Sequence, residues 1–374
     1  MQENISSEAN KMNDLKNKLS FPIKQELSTD FLQNNFWKCR YNSAGDELDY
    51  LVILPNNVKP TKIEPLPIEN TGLTRIGQYI SVDESPYLEV QVVYEHCPYE
   101  MNASDWIAKT LHITNESVIN YRLIEGDRTG KYADALTYKK FLDGNEVISR
   151  LTVFKDSDAQ KGGANYFCIK ASCALVDYNQ LANHIFQIVA NWYLINKVDY
   201  PMAELLRTFT LNSADFPDEK VSFYLPASWE MHSKTTDANL NSHVVFTHPV
   251  GEFNKGTIHA FFYRGNTVKD VNEIMVRRLA TLAGYKIELN DLEKSETRNP
   301  FIDELYLTQG YYFLEKEDYK PFVRIAIIKT KQGLYFFECT GTNINLENYY
   351  WEINKRCMEL IQDSFNNPEL KKTT

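Results

Sequence analysis

Hydrophobic residues recur at three- and four-residue spacing in two segments of the chain, 177–195 and 345–365. The spaced positions are Leu181, Ile185, Ile188, Trp192 and Ile195 in the first segment, and Trp351, Met358, Ile361 and Phe365 in the second. Each set would form one apolar stripe, which predicts an amphipathic helix packed on a sheet. We interpret both stripes as core and not as a cofactor site.

Shorter segments are apolar on both faces of a predicted strand. Tyr311 and Phe313 would point to one face, and Tyr312 and Leu314 to the other. The segments "FVRIAIIK" (322–329) and "LYFFE" (334–338) have the same character. Because a strand with two apolar faces is covered on both, these segments predict a sheet between helices.

An internal repeat relates the two halves of the chain. "YLVILPNNV" (50–58) aligns with "VSFYLPASW" (221–229), and "LEVQVVYEH" (88–96) aligns with "TIHAFFYRG" (257–265). A helical stretch, a long hairpin, and a closing strand and helix follow in both halves, at an offset of about 170 residues throughout. We therefore expect α+β structure in two tandem α/β/α sandwich repeats, each with a central antiparallel sheet flanked by helices.

The expected organisation has five parts. We expect a flexible N-terminal arm over 1–29, a first repeat over 30–196, a linker over 197–219, a second repeat over 220–368 and a tail over 369–374. The arm is polar, with Met12, Leu15 and Leu19 on one side if it is helical. The linker contains two prolines and a candidate short helix at "MAELLRTF" (202–209).

Composition bounds the function classes. The 374 residues carry a formal charge of −10, and no Lys/Arg cluster is interleaved with aromatic residues, so we expect no nucleic-acid partner. No segment approaches the roughly 20 apolar residues of a membrane span, and the first residues lack a signal-peptide core. We expect a cytoplasmic protein without an integral membrane segment, or a periplasmic one if a leader has been removed.

Candidate chemistry was sought in the cysteines, histidines and glycines. The six cysteines form no CxxC pair, and we interpret them as reduced core thiols. His243 and His248 should lie on opposite sides of one strand, and neither HExxH nor GxSxG occurs. "GDRTGKYADALTYKKF" (126–141) lacks P-loop spacing and predicts strand, turn and strand. We therefore expect no catalytic, cofactor-binding or metal-binding residues.

The repeat order, with Leu-Pro at Leu54-Pro55 and Leu225-Pro226 and the segment "FYLPASWE", resembles the Mog1/PsbP-like superfamily, particularly its DcrB-like bacterial branch. The resemblance covers most of residues 30 to 368 as two copies. It implies a mostly non-enzymatic protein that binds other proteins. The repeats are also similar to Eag-type chaperones of bacterial type VI secretion, although those have one small domain and not a fused pair.

This resemblance makes a non-catalytic adaptor or chaperone our leading hypothesis, with a secretion effector or machine component as partner. The alternatives are a structural or regulatory component of a larger assembly, and an enzyme with a cleft between the repeats. Aromatic residues beside predicted strands are the candidate protein-binding positions, since tyrosine is apolar with a polar tip. They are Tyr319, Phe322 and Tyr312 around the second hairpin, and Tyr87 and Tyr99 beside strand 88–96.

Overall fold

The computed structural model describes thirteen stretches of the chain in two compact units. The stretches are 2–42, 48–66, 72–82, 86–122, 129–158, 161–198, 202–213, 216–236, 242–264, 270–282, 284–314, 320–343 and 347–366. Unit 1 comprises residues 1–98 and 102–203, and unit 2 comprises residues 99–101 and 204–374.

The described residues of unit 1 form four α-helices and ten strands. The helices are α1 (Gln2–Lys18), α2 (Thr29–Asn35), α3 (Ala103–Thr114) and α4 (Tyr178–Ala190). The strands are β1 (Phe36–Tyr41), β2 (Tyr50–Pro55), β3 (Val58–Pro60), β4 (Thr74–Ser81), β5 (Leu88–Cys97), β6 (Ser117–Arg122), β7 (Tyr132–Lys140), β8 (Glu146–Ser157), β9 (Ala164–Ala174) and β10 (Tyr193–Leu194). The main sheet has the order β3-β4-β5-β9-β8-β7-β6, and a second sheet has the order β1-β2-β10.

Helices cover both faces of the main sheet in unit 1. Phe167 of β9 lies in one buried cluster with Ile185 of α4. The preceding residue, Tyr166, stacks at 5.9 Å on Trp106 of α3. Because successive side chains of a strand point to opposite faces, α3 and α4 lie on opposite sides of the sheet.

In the part of unit 2 that the structure describes, there are two α-helices and ten strands. The helices are α5 (Val271–Ala280) and α6 (Asn348–Ser364). The strands are β11 (Leu206–Ser213), β12 (Phe216–Pro226), β13 (Glu230–Thr236), β14 (Ser242–Val250), β15 (Phe253–Arg264), β16 (Lys286–Leu289), β17 (Glu293–Ser295), β18 (Glu304–Phe313), β19 (Phe322–Lys329) and β20 (Gly333–Gly341). The main sheet has the order β13-β14-β15-β20-β19-β18-β16, with β17 also paired to β18, and β11 pairs with β12 separately.

The same alternation builds the layers of unit 2. Ile325 and Ile327 of β19 lie in a cluster with Ile274 of α5. Ala326 and Ile328 lie in a cluster with the buried face of α6. The two-sided apolar pattern of this strand therefore reflects one helix on each face, as predicted.

The strand orders of the two main sheets correspond position by position, with β9 and β20 at equivalent central places. Both sheets are antiparallel throughout, and a two-stranded hairpin ending in Leu-Pro precedes each of them. The prediction of two tandem α/β/α sandwich repeats is confirmed. The stretch that superficially resembles a P-loop forms β7 and the turn into β8, and the part of it at 126–128 lies outside the described residues.

Two local expectations were wrong. The helix predicted to reach Ile195 ends at Ala190, because β10 turns to pair with β2, Tyr193 opposite Leu51. The short helix expected in the linker is absent among the described residues 202–209, since Leu206 begins β11, which pairs with β12. Of the two alternatives for the N-terminal segment, a flexible arm or a loosely docked helix, the described residues form the helix α1, and Leu15, which is 6% exposed, packs in the unit 1 core with Met12 and Leu19 beside it.

Candidate functional sites

The predicted binding residues occupy different environments. Tyr87 is 44% exposed at the surface of unit 1. Tyr99 is half-buried in unit 2, with its ring 4.8 Å from that of His248 and 6.4 Å from that of Tyr350. Tyr319 lies outside the described residues. Tyr87 and Tyr99, expected beside the same strand, thus belong to different units.

Two of the predicted binding residues are core residues and require a correction. Phe322 is 8% exposed, and its ring packs at 4.4 Å against Trp351 of α6. Tyr312 is 4% exposed and donates a hydrogen bond to Glu338 on the α5 side of the sheet. Both side chains belong to strands covered on two faces, so they are not accessible to a partner in this structure.

A pocket in unit 1, which we call the aromatic pocket, was not found from the sequence. It lies where the end of α4 and strand β10 meet strands β6, β7 and β8, and it has a volume of about 250 Å³. Aromatic side chains from four elements line it: Tyr132, Phe154, Phe186, Trp192 and Tyr193. The early end of α4 creates this site, because it places Trp192 and Tyr193 beside the sheet and not on a helix.

The aromatic side chains differ in exposure. Tyr193 is 54% exposed and Tyr132 is 37% exposed, whereas Phe154 is 8% exposed. The rings of Tyr132 and Phe154 are 5.1 Å apart. The pocket therefore has a buried apolar interior and two accessible tyrosines at its opening.

A buried ion pair forms the base of the aromatic pocket. Arg150, which is 0% exposed, donates from Nε to Oδ1 of Asp134 at 3.1 Å and from Nη2 to Oδ2 at 2.8 Å. Its Nη1 donates to the carbonyl of Pro22 at 2.7 Å, and its guanidinium lies 5.0 Å from the Phe186 ring centre. Such bidentate geometry fixes the orientation of the guanidinium and satisfies the buried charge.

Two further cations line the same pocket. Arg122, whose side chain is 34% exposed, has its Nε 3.3 Å from Oδ2 of Asp134. The ammonium of Lys197 lies 5.4 Å from the centre of the Phe154 ring. The described lining thus contains three cationic side chains and one carboxylate.

Unit 2 has a separate polar pocket of about 330 Å³ beside α5. There Arg278 donates from Nε to Oε2 of Glu338 at 2.9 Å, and Tyr312 donates to the same oxygen at 3.2 Å. Burial and the neighbouring Glu338 raise the pKa of the Tyr312 hydroxyl, so it stays protonated and acts as a donor. The carboxylate of Glu338 is therefore engaged by groups of unit 2 itself.

Two histidines stand beside this pocket on adjacent strands. Nε2 of His243 lies 3.0 Å from Nδ1 of His259, and the His243 ring stacks on Phe261 at 4.1 Å. Burial, with the neighbouring His259 and Arg278, lowers the pKa of His243 to about 4. Both imidazoles are neutral at neutral pH, since burial also lowers the pKa of His259. His248 lies on the opposite face of the same strand, as predicted.

The cysteines are buried, and burial makes their thiols unreactive. All six cysteines are free and buried, as predicted, and burial raises the pKa of Cys168 and of Cys173 to about 12. These sulfurs are thiols at neutral pH and not the nucleophilic thiolates. Within the described stretches, no group of three or more His, Cys, Asp or Glu side chains could hold a metal ion. No described helix is long and apolar enough to cross a membrane.

No protein-family model matches the chain, and no curated protein matches it. Solved structures with some similarity include cyanobacterial PsbP (CyanoP) from Synechocystis, at 12% identity over 46% of this chain and 99% of that chain, with a TM-score of 0.32. LpqN of Mycobacterium tuberculosis is 9% identical over 45% of this chain and 96% of that chain, with a TM-score of 0.28. A chain of the Tle4-Tli4 complex is 11% identical over 84% of this chain and 95% of that chain, with a TM-score of 0.21. At these TM-scores the likenesses carry no conclusion about function.

Proposed function

We propose that the chain is a non-catalytic protein-binding module, an adaptor or chaperone, and that the aromatic pocket of unit 1 engages its partner. The observation that carries this proposal is the set of tyrosines, a tryptophan and arginines around one pocket. These residue types dominate binding energy at the centres of protein interfaces. Exposed Tyr193 and Tyr132, with the 34% exposed side chain of Arg122, give that combination in one place.

The size of the aromatic pocket favours a protein partner over a small molecule. Its volume of about 250 Å³ is below the range of roughly 300–1,000 Å³ that is typical of small-molecule sites. A pocket of this size suits one or two side chains of a partner, with the rest of the contact made around its opening.

The place of this module in the cell rests on the resemblance of the repeats alone. Similarity to the DcrB-like branch and to Eag-type chaperones favours an accessory protein of bacterial type VI secretion, located in the cytoplasm. Its partner would be a secretion effector or a component of the machine. A structural or regulatory component of a larger assembly would use the same pocket and would differ by holding a constant stoichiometry with that assembly.

A catalytic role is the second candidate, because the polar pocket of unit 2 brings together Glu338, Arg278 and Tyr312. Two observations place it second. First, the Glu338 carboxylate already accepts hydrogen bonds from Arg278 and Tyr312. Second, the side chains of Arg278 and Tyr312 are part of the packing between α5 and the sheet. A general base needs a carboxylate or imidazole that can reach a substrate proton.

The proposed function is tested by quantitative capture with matched variants. Tagged full-length protein would be expressed in its native cells, and co-purified proteins compared for the wild type, Tyr193→Ala and Phe141→Ala. Phe141 is 45% exposed and follows the far end of β7, so it is a matched exposed aromatic outside the pocket. A partner that Tyr193→Ala loses and Phe141→Ala retains would support the proposal. Equal recovery with both variants would refute the pocket as the site.

A further inference from the structure

The aromatic pocket also has a definite charge preference. Resting on the proposed function, we infer that it takes a partner segment in which an aromatic or aliphatic side chain stands beside a carboxylate. The apolar side chain would enter between Phe154 and Trp192, and the carboxylate would pair with Arg122 at the opening.

The described lining of the aromatic pocket contains more cations than carboxylates. Arg150 and Asp134 are joined by two hydrogen bonds and neutralise each other at the base. Arg122 and Lys197 add two positive charges to the same lining, although the whole chain has a formal charge of −10. Among the described lining residues the cations outnumber the carboxylates, and such a lining favours an anionic group in the partner and disfavours a cationic one.

The guanidinium of Arg122 has only weak contacts with described residues. Its neighbour Asp134 already accepts from two donors of Arg150, so that carboxylate does not also bind Arg122 through a bidentate pair. The Nε of Arg122 is buried 3.3 Å from Oδ2 of Asp134 and makes no hydrogen bond to a described residue, whereas its Nη1 makes a long one, 3.3 Å, to the carbonyl of Ile23, and the side chain is 34% exposed. A partner carboxylate would give this guanidinium the charge-assisted bonds that its planar donors favour.

The interior of the aromatic pocket is mainly apolar. Between Phe154 and Trp192 the lining is mainly aromatic and aliphatic, with Val189 and Leu194 completing it. Removing an apolar side chain from water into such a site is favourable in proportion to its area. An apolar residue and an adjacent carboxylate therefore satisfy the two parts of the site together, whereas a purely acidic segment would leave the interior unfilled.

The test is selection of a displayed random peptide library on immobilised full-length protein. For the wild type we expect enrichment of peptides with Phe, Trp, Tyr or Leu adjacent to Asp or Glu. Arg122→Gln should weaken the selected acidic peptides about ten- to a hundredfold, as expected for loss of a charge-assisted hydrogen bond. Arg122→Lys keeps the charge and should restore part of that affinity.

Two further variants locate the binding. Tyr193→Ala should abolish the enrichment, and Phe141→Ala, the exposed control at the far end of β7, should preserve it. Enrichment of apolar residues without acidic ones would overturn the inference and leave the proposed function standing. Enrichment that Tyr193→Ala leaves unchanged would overturn the site, and failure of the wild type to enrich any peptide would overturn the inference. The capture experiment decides the proposed function separately.

Discussion

Removing the carboxylate of Asp134 should lower the free energy of unfolding of unit 1 by about 3–5 kcal/mol, the usual cost of breaking a buried ion pair from one side. Asp134 is 2% exposed and Arg150 is 0% exposed, so water does not reach the guanidinium. In Asp134→Leu, Arg150 would lose two hydrogen bonds and its counter-charge and keep only the bond to the Pro22 carbonyl. A typical domain has only about 5–15 kcal/mol of stability in total, so the loss should be large.

The measurement is urea unfolding followed by hydrogen exchange of amides in β8, which report on unit 1 separately from unit 2. The control is the double variant Asp134→Leu, Arg150→Met, which replaces both charges by apolar groups. It should recover the part of the lost stability that the unpaired Arg150 causes, because a well-packed apolar replacement of a buried ion pair is often neutral, although Arg122 would still lack the Asp134 carboxylate that lies 3.3 Å from its Nε. The reasoning would be refuted if Asp134→Leu cost less than about 1 kcal/mol, the value of an exposed pair. It would also be refuted if the double variant were as unstable as Asp134→Leu.

Three other predictions concern single positions. A Cβ at Gly310 would lie 1.9 Å from the carbonyl oxygen of Glu288, so Gly310→Ala should separate β16 from β18 and speed hydrogen exchange of the β16 amides. Exchange of these amides at the wild-type rate would contradict this reasoning. Leu15→Ala should lower the free energy of unfolding by about 2–5 kcal/mol, and it should make α1 more sensitive to protease. An unchanged rate of cleavage would show that the packing of α1 does not depend on this contact. Burial lowers the pKa of His248 to about 4, below about 6.5 in the unfolded chain, so the folded state binds fewer protons between these values. The contribution of His248 to stability should be constant above pH 6.5 and fall below it by up to about 1.4 kcal/mol per pH unit. His243 and His259, whose pKa values are also lowered, add to the measured slope in the same direction. His248→Phe should therefore reduce the slope, and equal slopes in both proteins would contradict the assignment.

The layers of the fold could be predicted because they depend on patterns within each segment. The strand 322–329 is apolar on both faces, and this pattern predicts that a helix covers each face. The same order of segments in both halves of the chain then predicted a second unit with the same fold. The end of α4 could not be predicted in this way, since Trp192 and Ile195 continue the helical spacing. What ends that helix is the pairing of Tyr193 with Leu51, a residue far earlier in the chain.

The aromatic pocket was missed because its lining comes from five separate elements. Each aromatic residue alone is typical of a strand or helix core, and the aromatic residues beside the second hairpin drew the prediction instead. One indication was present in the sequence: Arg150 stands within the apolar segment "EVISRLTVF" (146–154). A charge in a core strand requires a partner, and Asp134 in the preceding strand of the hairpin was available.

The central position of β9 and β20 has a consequence for how the chain folds. Each of these strands is made last among the strands of its sheet, yet it joins β5 to β8 or β15 to β19. Leu88 pairs with Cys173 and Gly256 pairs with Gly341, the same long separation along the chain in both units. Such non-local pairing slows folding. A nascent chain that ends before residue 164 would hold two half-sheets with open edges, so synthesis of each closing strand should be the step that commits its unit to the native state and protects it from aggregation.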